Sequence, residues 1–396
     1  MVSVNVYFRM NGHLLIHIFI CIAGILLLLY SLLIYYYHRA WDQIAYSKDI
    51  PEGFSCDIAL ITKVSVIIPA RNEAARITKC LDALSAQSYP KEHTEIIVVN
   101  DFSTDDTGER VLHHPIRCKL INLSDHVSGV INSYKKKAIE TGINNSTGEL
   151  IICTDADCSM GVDWIRILVT AFEKKPVQFI AAPVKIIPDG SLLAIFQILD
   201  FISLQGITGA AVYKNLYPMC NGANLAYSRK AYDEVHGFSD IDHIASGDDM
   251  LLMKKIQSRY SGEIKYLKDQ RVIVSTGPAE SFKAFINQRI RWASKISHYK
   301  HPATFLTLAL VYCVNTFLFV IFVSCFLYGH WRWLIFLIAF KTISEYFFVS
   351  KVASFFQQQS LMKYFPLCQP FHILYTIIAG SFGSFGKYEW KNRKVK

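Results

Sequence analysis

Residues 151–158 read Ile-Ile-Cys-Thr-Asp-Ala-Asp-Cys, an apolar run that climbs into two carboxylates one residue apart. In extended chain, positions i and i+2 face the same way, so Asp155 and Asp157 point to one side. Like charges that close oppose each other's ionisation unless a cation compensates them. Carboxylate oxygens suit a hard divalent ion, Mg²⁺ or Mn²⁺, whose remaining positions are usually filled by water and substrate phosphates. A lone Asp-x-Asp is equally well explained by an Asx turn with two solvated carboxylates. The rest of the chain has to decide.

Two further stretches carry side chains of the same kind. "ASGDDMLLMKKI", 245–256, places Asp248 and Asp249 in the first turn of an amphipathic helix built on Leu251, Leu252 and Ile256. Acidic residues there stabilise a helix dipole. Two adjacent carboxylates beside a partly buried cleft also leave one suited to take a hydroxyl proton. "SFKAFINQRIRWASK", 281–295, puts Phe282, Phe285, Ile286, Ile290 and Ala293 along one side of a helix, with Gln288, Arg291 and Trp292 on another. Such a helix beside a membrane span commonly lies in the interface. An Arg next to a Trp is equally able to neutralise a departing phosphate while the indole walls an acceptor.

The elements that must position these groups alternate. "VSVIIPA" (64–70), "EIIVVND" (95–101), "CKLINL" (118–123) and "ELIICT" (149–154) read as strands separated by helical patterns. The first helix is opened by Asn72 and built on Ile77, Leu81 and Leu84. This order predicts an α/β fold with a parallel sheet covered on both faces. Such sheets bind ligands beyond the carboxyl ends of their strands. Those ends carry Ala70-Arg71-Asn72-Glu73, Asn100-Asp101 and Asp155-Ala156-Asp157. Neither GxGxxG nor GxxxxGK[ST] occurs, so no dinucleotide or P-loop cradle accounts for them.

Hydrophobic residues make up 52% of the 396, high for a wholly soluble chain. Residues 14–37 hold no Asp, Glu, Lys or Arg, exceeding the roughly 20 apolar residues that cross a bilayer. The run ends in three tyrosines and a basic pair, reading as a retained anchor rather than a signal peptide. Segments 303–328 and 331–350 read as further spans, and 366–386 as a weaker one. Lys341 and Glu345 either pair across one helical turn or mark an interfacial segment. The basic residues Arg39, Lys48, Lys295 and Lys300 flank the membrane and predict a cytoplasmic polar stretch. The expected division is an anchor at 1–39, an α/β domain at 40–280, an interface helix at 281–301 and a membrane region with a basic tail at 302–396.

Forty-one basic and 32 acidic residues give a formal charge of +9, which attraction to anionic lipid head groups accounts for. No basic run interleaved with aromatics points to nucleic acid. The ten cysteines form no CxxC pair and read as reduced, buried thiols.

Asp101 in "VVND", the pair Asp155/Asp157, Asp248-Asp249 and Gln288-Arg289-Ile290-Arg291-Trp292 together resemble the membrane-bound inverting family-2 glycosyltransferases. That group, with its D, DxD, D, QxxRW pattern, includes poly-N-acetylglucosamine, hyaluronan and cellulose synthases and ceramide glucosyltransferases. The resemblance spans roughly residues 60–300. It implies a GT-A, Rossmann-like nucleotide-sugar domain between N- and C-terminal transmembrane helices of a plasma (inner) membrane, multi-pass, with the catalytic domain cytoplasmic. It implies a UDP-sugar donor, a lipid-linked or cell-envelope glycan acceptor, and Mg²⁺ or Mn²⁺.

Position by position, Ala70 and Glu73 look like the loop around ribose and base, and Asp101 like the reader of the uracil edge. Lys135 is similar to the lysine near the nucleotide, Asp155 to the residue facing the sugar-nucleotide, and Asp157 to the metal ligand. Asp249 matches the catalytic base beside Asp248; Gln288, Arg291 and Trp292 match the diphosphate and acceptor motif. Two aromatic departures stand out. Phe102 replaces a glycine, which predicts a differently shaped turn, and Tyr134 stands where a glycine often precedes the lysine. A polyprenyl-phosphate sugar transferase shares fold and DxD but not QxxRW. A non-catalytic nucleotide-sugar-binding membrane protein would bind without turnover.

Overall fold

The computed structural model describes residues 2–46, 62–127, 131–174, 176–216, 219–244, 246–294, 302–383, 388–390 and 393–395. Lys48, Lys295 and Lys300, three of the four basic residues behind the expected orientation, lie outside the described residues.

The apolar runs become strands close to where they were expected: β1 (Val64–Ala70), β2 (Thr94–Asn100), β3 (Lys119–Asn122) and β4 (Leu150–Cys153). The middles of β1 and β2 and the whole of β4 are apolar and buried because helices cover both faces of a parallel sheet. Further along come β5 (Phe179–Ala181), β6 (Val184–Ile186), β7 (Leu225–Ser228), β8 (Ile264–Tyr266) and β9 (Val274–Thr276). The main sheet runs β3-β2-β1-β4-β7-β5-β8, and β6 pairs with β9 in a second, small one. β3, β2, β1 and β4 are parallel, as the alternation predicted. β7 enters antiparallel between β4 and β5, where the simple strand–helix alternation ends.

The helix after β1 starts later than Asn72. It spans Ile77–Ser85, because the Glu73 carbonyl is engaged by the amides of Arg76 and Ile77 and Asn72 adopts a left-handed φ of 50°.

The chain divides into two compact units. One gathers residues 42–194, 207–278 and 387–396 and contains the main sheet. The other is assembled from residues 1–41, 195–206 and 279–386. Four described helices are long and apolar enough to cross a membrane: His13–Gln43, Leu192–Tyr213, Pro302–Tyr328 and Trp331–Phe355. Three of these coincide with the expected spans. Leu192–Tyr213 does not; Gln197, Asp200 and Gln205 interrupt it, and most of it is buried in protein. The weak segment at 366–386 folds as a helix, Phe365–Gly383, with Pro370 inside, and is not among the four.

Lys341 and Glu345 pair across one turn, Nζ to Oε1 at 2.7 Å. Tyr30 donates to Glu345 at 2.6 Å, Lys341 donates to Gln369 at 2.8 Å, and Gln369 donates back to Glu345 at 2.7 Å. Buried charges in an apolar helix are tolerated only when paired and hydrogen-bonded like this. Of the two expectations for this segment, the structure shows the pairing across one turn, with Lys341 wholly buried.

Candidate active site

The carboxyl ends of β1 and β2 lie in register, Ala70 opposite Asn100, so their loops meet. The Asp101 amide donates to the Ala70 carbonyl at 2.8 Å, and Asp101 is buried. Asn72 Oδ1 accepts from the Thr104 amide at 2.8 Å, while the Asn72 amide donates to Ser103 Oγ at 3.0 Å. The buried Glu73 donates its amide to Thr107 Oγ1 at 2.8 Å.

Phe102 has a φ of 51°, the left-handed conformation that a glycine adopts freely. For an L-residue that geometry costs about 1–2 kcal/mol. Arg71 holds it in place, donating Nη1 to the carbonyls of Asp101 at 2.9 Å and Phe102 at 2.7 Å. The Phe102 ring meets Tyr134 edge-on with centroids 5.9 Å apart. The two aromatic departures are thus one contact, made where the resemblance has two glycines.

Beyond β4, the paired aspartates have separate partners. Asp155 Oδ1 lies 2.7 Å from Lys135 Nζ, which also lies 3.3 Å from Asp248 Oδ2. The cation compensating Asp155 in this structure is therefore an ammonium. Burial lowers the Lys135 pKa, but Asp155 and Asp248 outweigh it and hold it well above the ordinary lysine value. Asp157 Oδ2 instead accepts from the Thr276 hydroxyl, at the end of β9, at 3.1 Å. Cys80 lies beneath this loop. Its thiol is pushed up to about 12, first by burial and then by the charges of Asp157, Asp155 and Glu73.

The helix after the acidic pair spans Met250–Arg259, so Asp249 caps it rather than lying in its first turn. Asp249 Oδ1 accepts from the Met250 amide at 2.7 Å, and Oδ2 faces the Gly222 amide at 3.3 Å. The approach leaves no room for a side chain. A Cβ at Gly222 would stand 3.0 Å from Asp248 Oδ2 and 3.2 Å from Lys135 Nζ. The loop leading to the pair is held by Lys136, which is buried and donates to the carbonyls of Ile241 and Ile244, each at 2.6 Å. Neither Gly222 nor Lys136 emerged from the sequence reading. Of the run Lys135-Lys136-Lys137 only Lys135 had an expected role, and the first two members point at different partners.

The structure thus brings together Lys135, Asp155, Asp248 and Asp249 around Gly222, in one unit. Ala70, Glu73 and Asp101 form the neighbouring strand-end loops, and Asp157 is on the same loop as Asp155. Gln288, Arg291 and Trp292 belong to the other unit. They lie half-buried on the helix Phe282–Ala293, whose N-terminus is capped by Ser281 accepting from the Ala284 amide at 3.2 Å. The expected apolar stripe is only partly realised. Phe285 is buried, Phe282 is exposed, and Arg289, which the reading left unassigned, is buried.

Against known families, residues 65–236 match the model described as Glycosyl transferase family 2. The chain carries a family-2 glycosyltransferase domain. It is similar to glycosyltransferase AglE of Haloferax volcanii, with 27% identity over 233 residues, covering 58% of this chain and 71% of that protein. It is also similar to poly-β-1,6-N-acetyl-D-glucosamine synthase of Staphylococcus epidermidis, at 25% identity over 236 residues. That alignment covers 58% of this chain and 53% of the synthase, so the matched stretch is about half of that relative. Among solved structures, a mannosyltransferase from Pyrobaculum calidifontis, determined with GDP-Man and Mn²⁺, superposes with a TM-score of 0.60. It is 18% identical, and the match covers 91% of this chain and 99% of that one. The fold of the domain is GT-A, a Rossmann-like α/β arrangement around a largely parallel sheet.

Proposed function

We propose that this family-2 glycosyltransferase moves a sugar from a UDP-sugar to a lipid-linked or cell-envelope glycan acceptor by a single displacement that inverts the anomeric centre. One observation carries the reading most directly. Carboxylates from separate segments, Asp155 and Asp248-Asp249, meet at Lys135 beyond the carboxyl end of β4, where a doubly wound sheet holds its ligand. In this reading Asp249 takes the proton of the acceptor hydroxyl. Its carboxylate is oriented by the Met250 and Gly222 amides, so little reorganisation is needed when the acceptor arrives. Lys135 balances the local negative charge and stands ready to exchange a carboxylate for a donor phosphate oxygen. Asp101 and Glu73, buried in the strand-end loops, bind the nucleoside. The parts assigned to Gln288, Arg291 and Trp292, diphosphate and acceptor contacts, rest on the QxxRW resemblance.

The donor atoms around Asp157 fit a divalent ion. Its carboxylate and the Thr276 hydroxyl are hard oxygen ligands. Among the described residues no group of three His, Cys, Asp or Glu side chains makes a complete cage. Mg²⁺ and Mn²⁺ are commonly held this way, by one or two carboxylates plus substrate phosphates. Bound there, the ion supplies charge neutralisation for the leaving diphosphate. The four helices apolar enough to span a bilayer support a membrane-bound enzyme, with the sheet-containing unit assigned to the cytosolic side.

The deciding measurement is nucleotide release by purified membranes over a panel of UDP-sugars, with GDP-mannose included, in Mg²⁺ or Mn²⁺ and again after chelation. Metal-dependent UDP release from one donor, with the sugar recovered in the β configuration from an α-linked donor, is the expected result. Retained configuration, or turnover indifferent to chelation, rules the mechanism out. Sugar recovered on a polyprenyl phosphate would identify the polyprenyl-phosphate transferase instead, and metal-dependent binding without turnover the non-catalytic protein.

Lys135 gives a narrower test. Lys135→Gln leaves Asp155 and Asp248 unneutralised beside each other, and losing that charge should weaken UDP binding by roughly tenfold, about 1.4 kcal/mol. Calorimetric titration of UDP measures it. Substitution is the right probe because the raised pKa keeps the ammonium intact. Its stabilisation is complete below the unfolded lysine value of about 10.4 and is lost only as pH climbs through the still higher folded value.

A further inference from the structure

Within the unit that holds the motif helix, the sequence-level signature Gln288-x-x-Arg291-Trp292 leaves out its most heavily engaged side chain. Arg289 is buried, and all of its faces are in use. Its Nε and Nη2 donate to Asp200 Oδ2 at 2.9 and 2.6 Å. Its third nitrogen, Nη1, donates to Gln288 Oε1 at 2.9 Å. The guanidinium plane lies over the Trp292 indole, 4.2 Å from the ring centre, and over Phe285 at 4.5 Å. Asp200 is itself oriented, because its other oxygen accepts the Tyr375 hydroxyl. Tyr375 packs with Phe196, Phe285 and Ala379 in one apolar cluster. Trp292 also meets Phe201, the residue after Asp200, with ring centres 6.2 Å apart.

We propose that Arg289, clamped by Asp200 and Tyr375, is the positioning residue of the motif and sets the orientation of both Gln288 and Trp292. The inference rests on the reading that those two side chains serve sugar transfer. The physical case is the geometry of the guanidinium. A buried ion pair is a poor way to gain stability, since a packed apolar replacement does as well or better. What it does supply is direction. Only arginine offers two donors to one carboxylate, a third donor to a neighbour and a flat cationic face to an indole at once. Lysine keeps the charge and loses the fork and the plane. The relay therefore runs from Tyr375 through Asp200 to Arg289, and from there to two of the three signature residues. It also explains why an apolar mid-chain helix, Leu192–Tyr213, carries a buried aspartate at position 200.

The test uses the full chain in detergent, with Arg289→Lys, Asp200→Asn and the milder Tyr375→Phe. Misplacing a positioned group by about 1 Å costs on the order of a hundredfold in rate, so Arg289→Lys and Asp200→Asn should each lower transfer by about that factor. UDP affinity, read by calorimetry, should stay within about twofold of the parent, because the side chains changed lie outside the unit proposed to hold the nucleotide. In a Trp292→Phe, Gln288→Ala background, Asp200→Asn should cost far less than in the parent, because coupled residues are not additive. An equal cost in both backgrounds overturns the proposal in favour of a purely structural pair.

A second readout does not depend on activity. In protein labelled with 5-fluorotryptophan, the ¹⁹F resonance of Trp292 is assigned by its loss in Trp292→Phe. Arg289→Lys should move that resonance and leave the other tryptophans in place, and Tyr375→Phe should move it less in the same direction. A Trp292 signal unmoved by Arg289→Lys sinks the proposal. Should the parent transfer no sugar from any donor, the functional reading fails, and the fluorine spectrum still decides whether Arg289 sets the indole.

Discussion

Asp249→Asn should lower sugar transfer by 10²–10⁴-fold, the range over which a positioned general base acts, while the protein still folds and binds UDP. The substitution isolates the base because it preserves shape. The amide oxygen of Asn can keep accepting from Met250, so the helix Met250–Arg259 retains its cap. Its amino group would face the Gly222 amide, now 3.3 Å from a carboxylate oxygen, and that donor–donor clash costs about 1–3 kcal/mol at most. A thermal melt reads that cost separately from the kinetics. Asp249→Ala loses the cap as well, worth about 0.5–2 kcal/mol, and serves as the comparison in which stability and rate fall together. Parent-like transfer by the Asn variant would reassign the base, with Asp248 the next residue to test. Its carboxylate already faces Lys135 across 3.3 Å.

The second large effect comes from a position with no side chain. Gly222 sits at ordinary φ, so nothing in its own backbone demands glycine; its neighbours do. A methyl group there would press on Asp248 Oδ2, on Lys135 Nζ and, at 3.8 Å, on Asp249 Cβ. The end of a lysine is normally free to yield. Here it is held at 2.7 Å by Asp155, so yielding means loosening the pairing that assembles the site. Gly222→Ala should therefore cost about tenfold in transfer, and Gly222→Val on the order of a hundredfold, through displaced catalytic geometry. Gly24, whose added Cβ would meet nothing within 4 Å, provides the control as Gly24→Ala. Steady-state kinetics alongside a thermal melt checks both. Parent-like activity in Gly222→Val would mean that the Lys135–Asp248 contact is dispensable.

Much of the framework was legible because its signals are local. Runs such as Val64–Ala70 and Thr94–Asn100 are buried on both faces and so are written as unbroken apolar stretches with polar stops. The strand ends fell beside Ala70, Asp101 and Asp155 because parallel topology puts all those ends at one edge. What stayed hidden was non-local. No pattern in "YKKKAI" distinguishes Lys135, which pairs with carboxylates, from Lys136, which ties down backbone carbonyls a hundred residues away. The closeness of Gly222 to Asp248 depends on two loops meeting. Arg289 looked like one more polar residue of an amphipathic helix until its partner appeared at position 200, inside a segment read only as part of the domain. The left-handed φ of Phe102 was equally hidden, because Arg71, which holds it through the carbonyls of Asp101 and Phe102, comes from the loop after another strand.

The unit that contains the motif helix is stitched from three stretches, residues 1–41, 195–206 and 279–386. Its first helix leaves the ribosome long before its partners exist. At synthesis rates of 5–20 residues per second, the roughly 240 intervening residues delay the start of the third stretch by about 10–50 s. Throughout that interval Tyr30 waits without Glu345, and Asp200 is made well before Arg289. Until the last third of the polypeptide arrives, the polar groups of these side chains need other hydrogen-bond partners, because an unpaired polar group is costly away from water. Truncation from the carboxyl end would strand the nascent first helix in that unfinished condition.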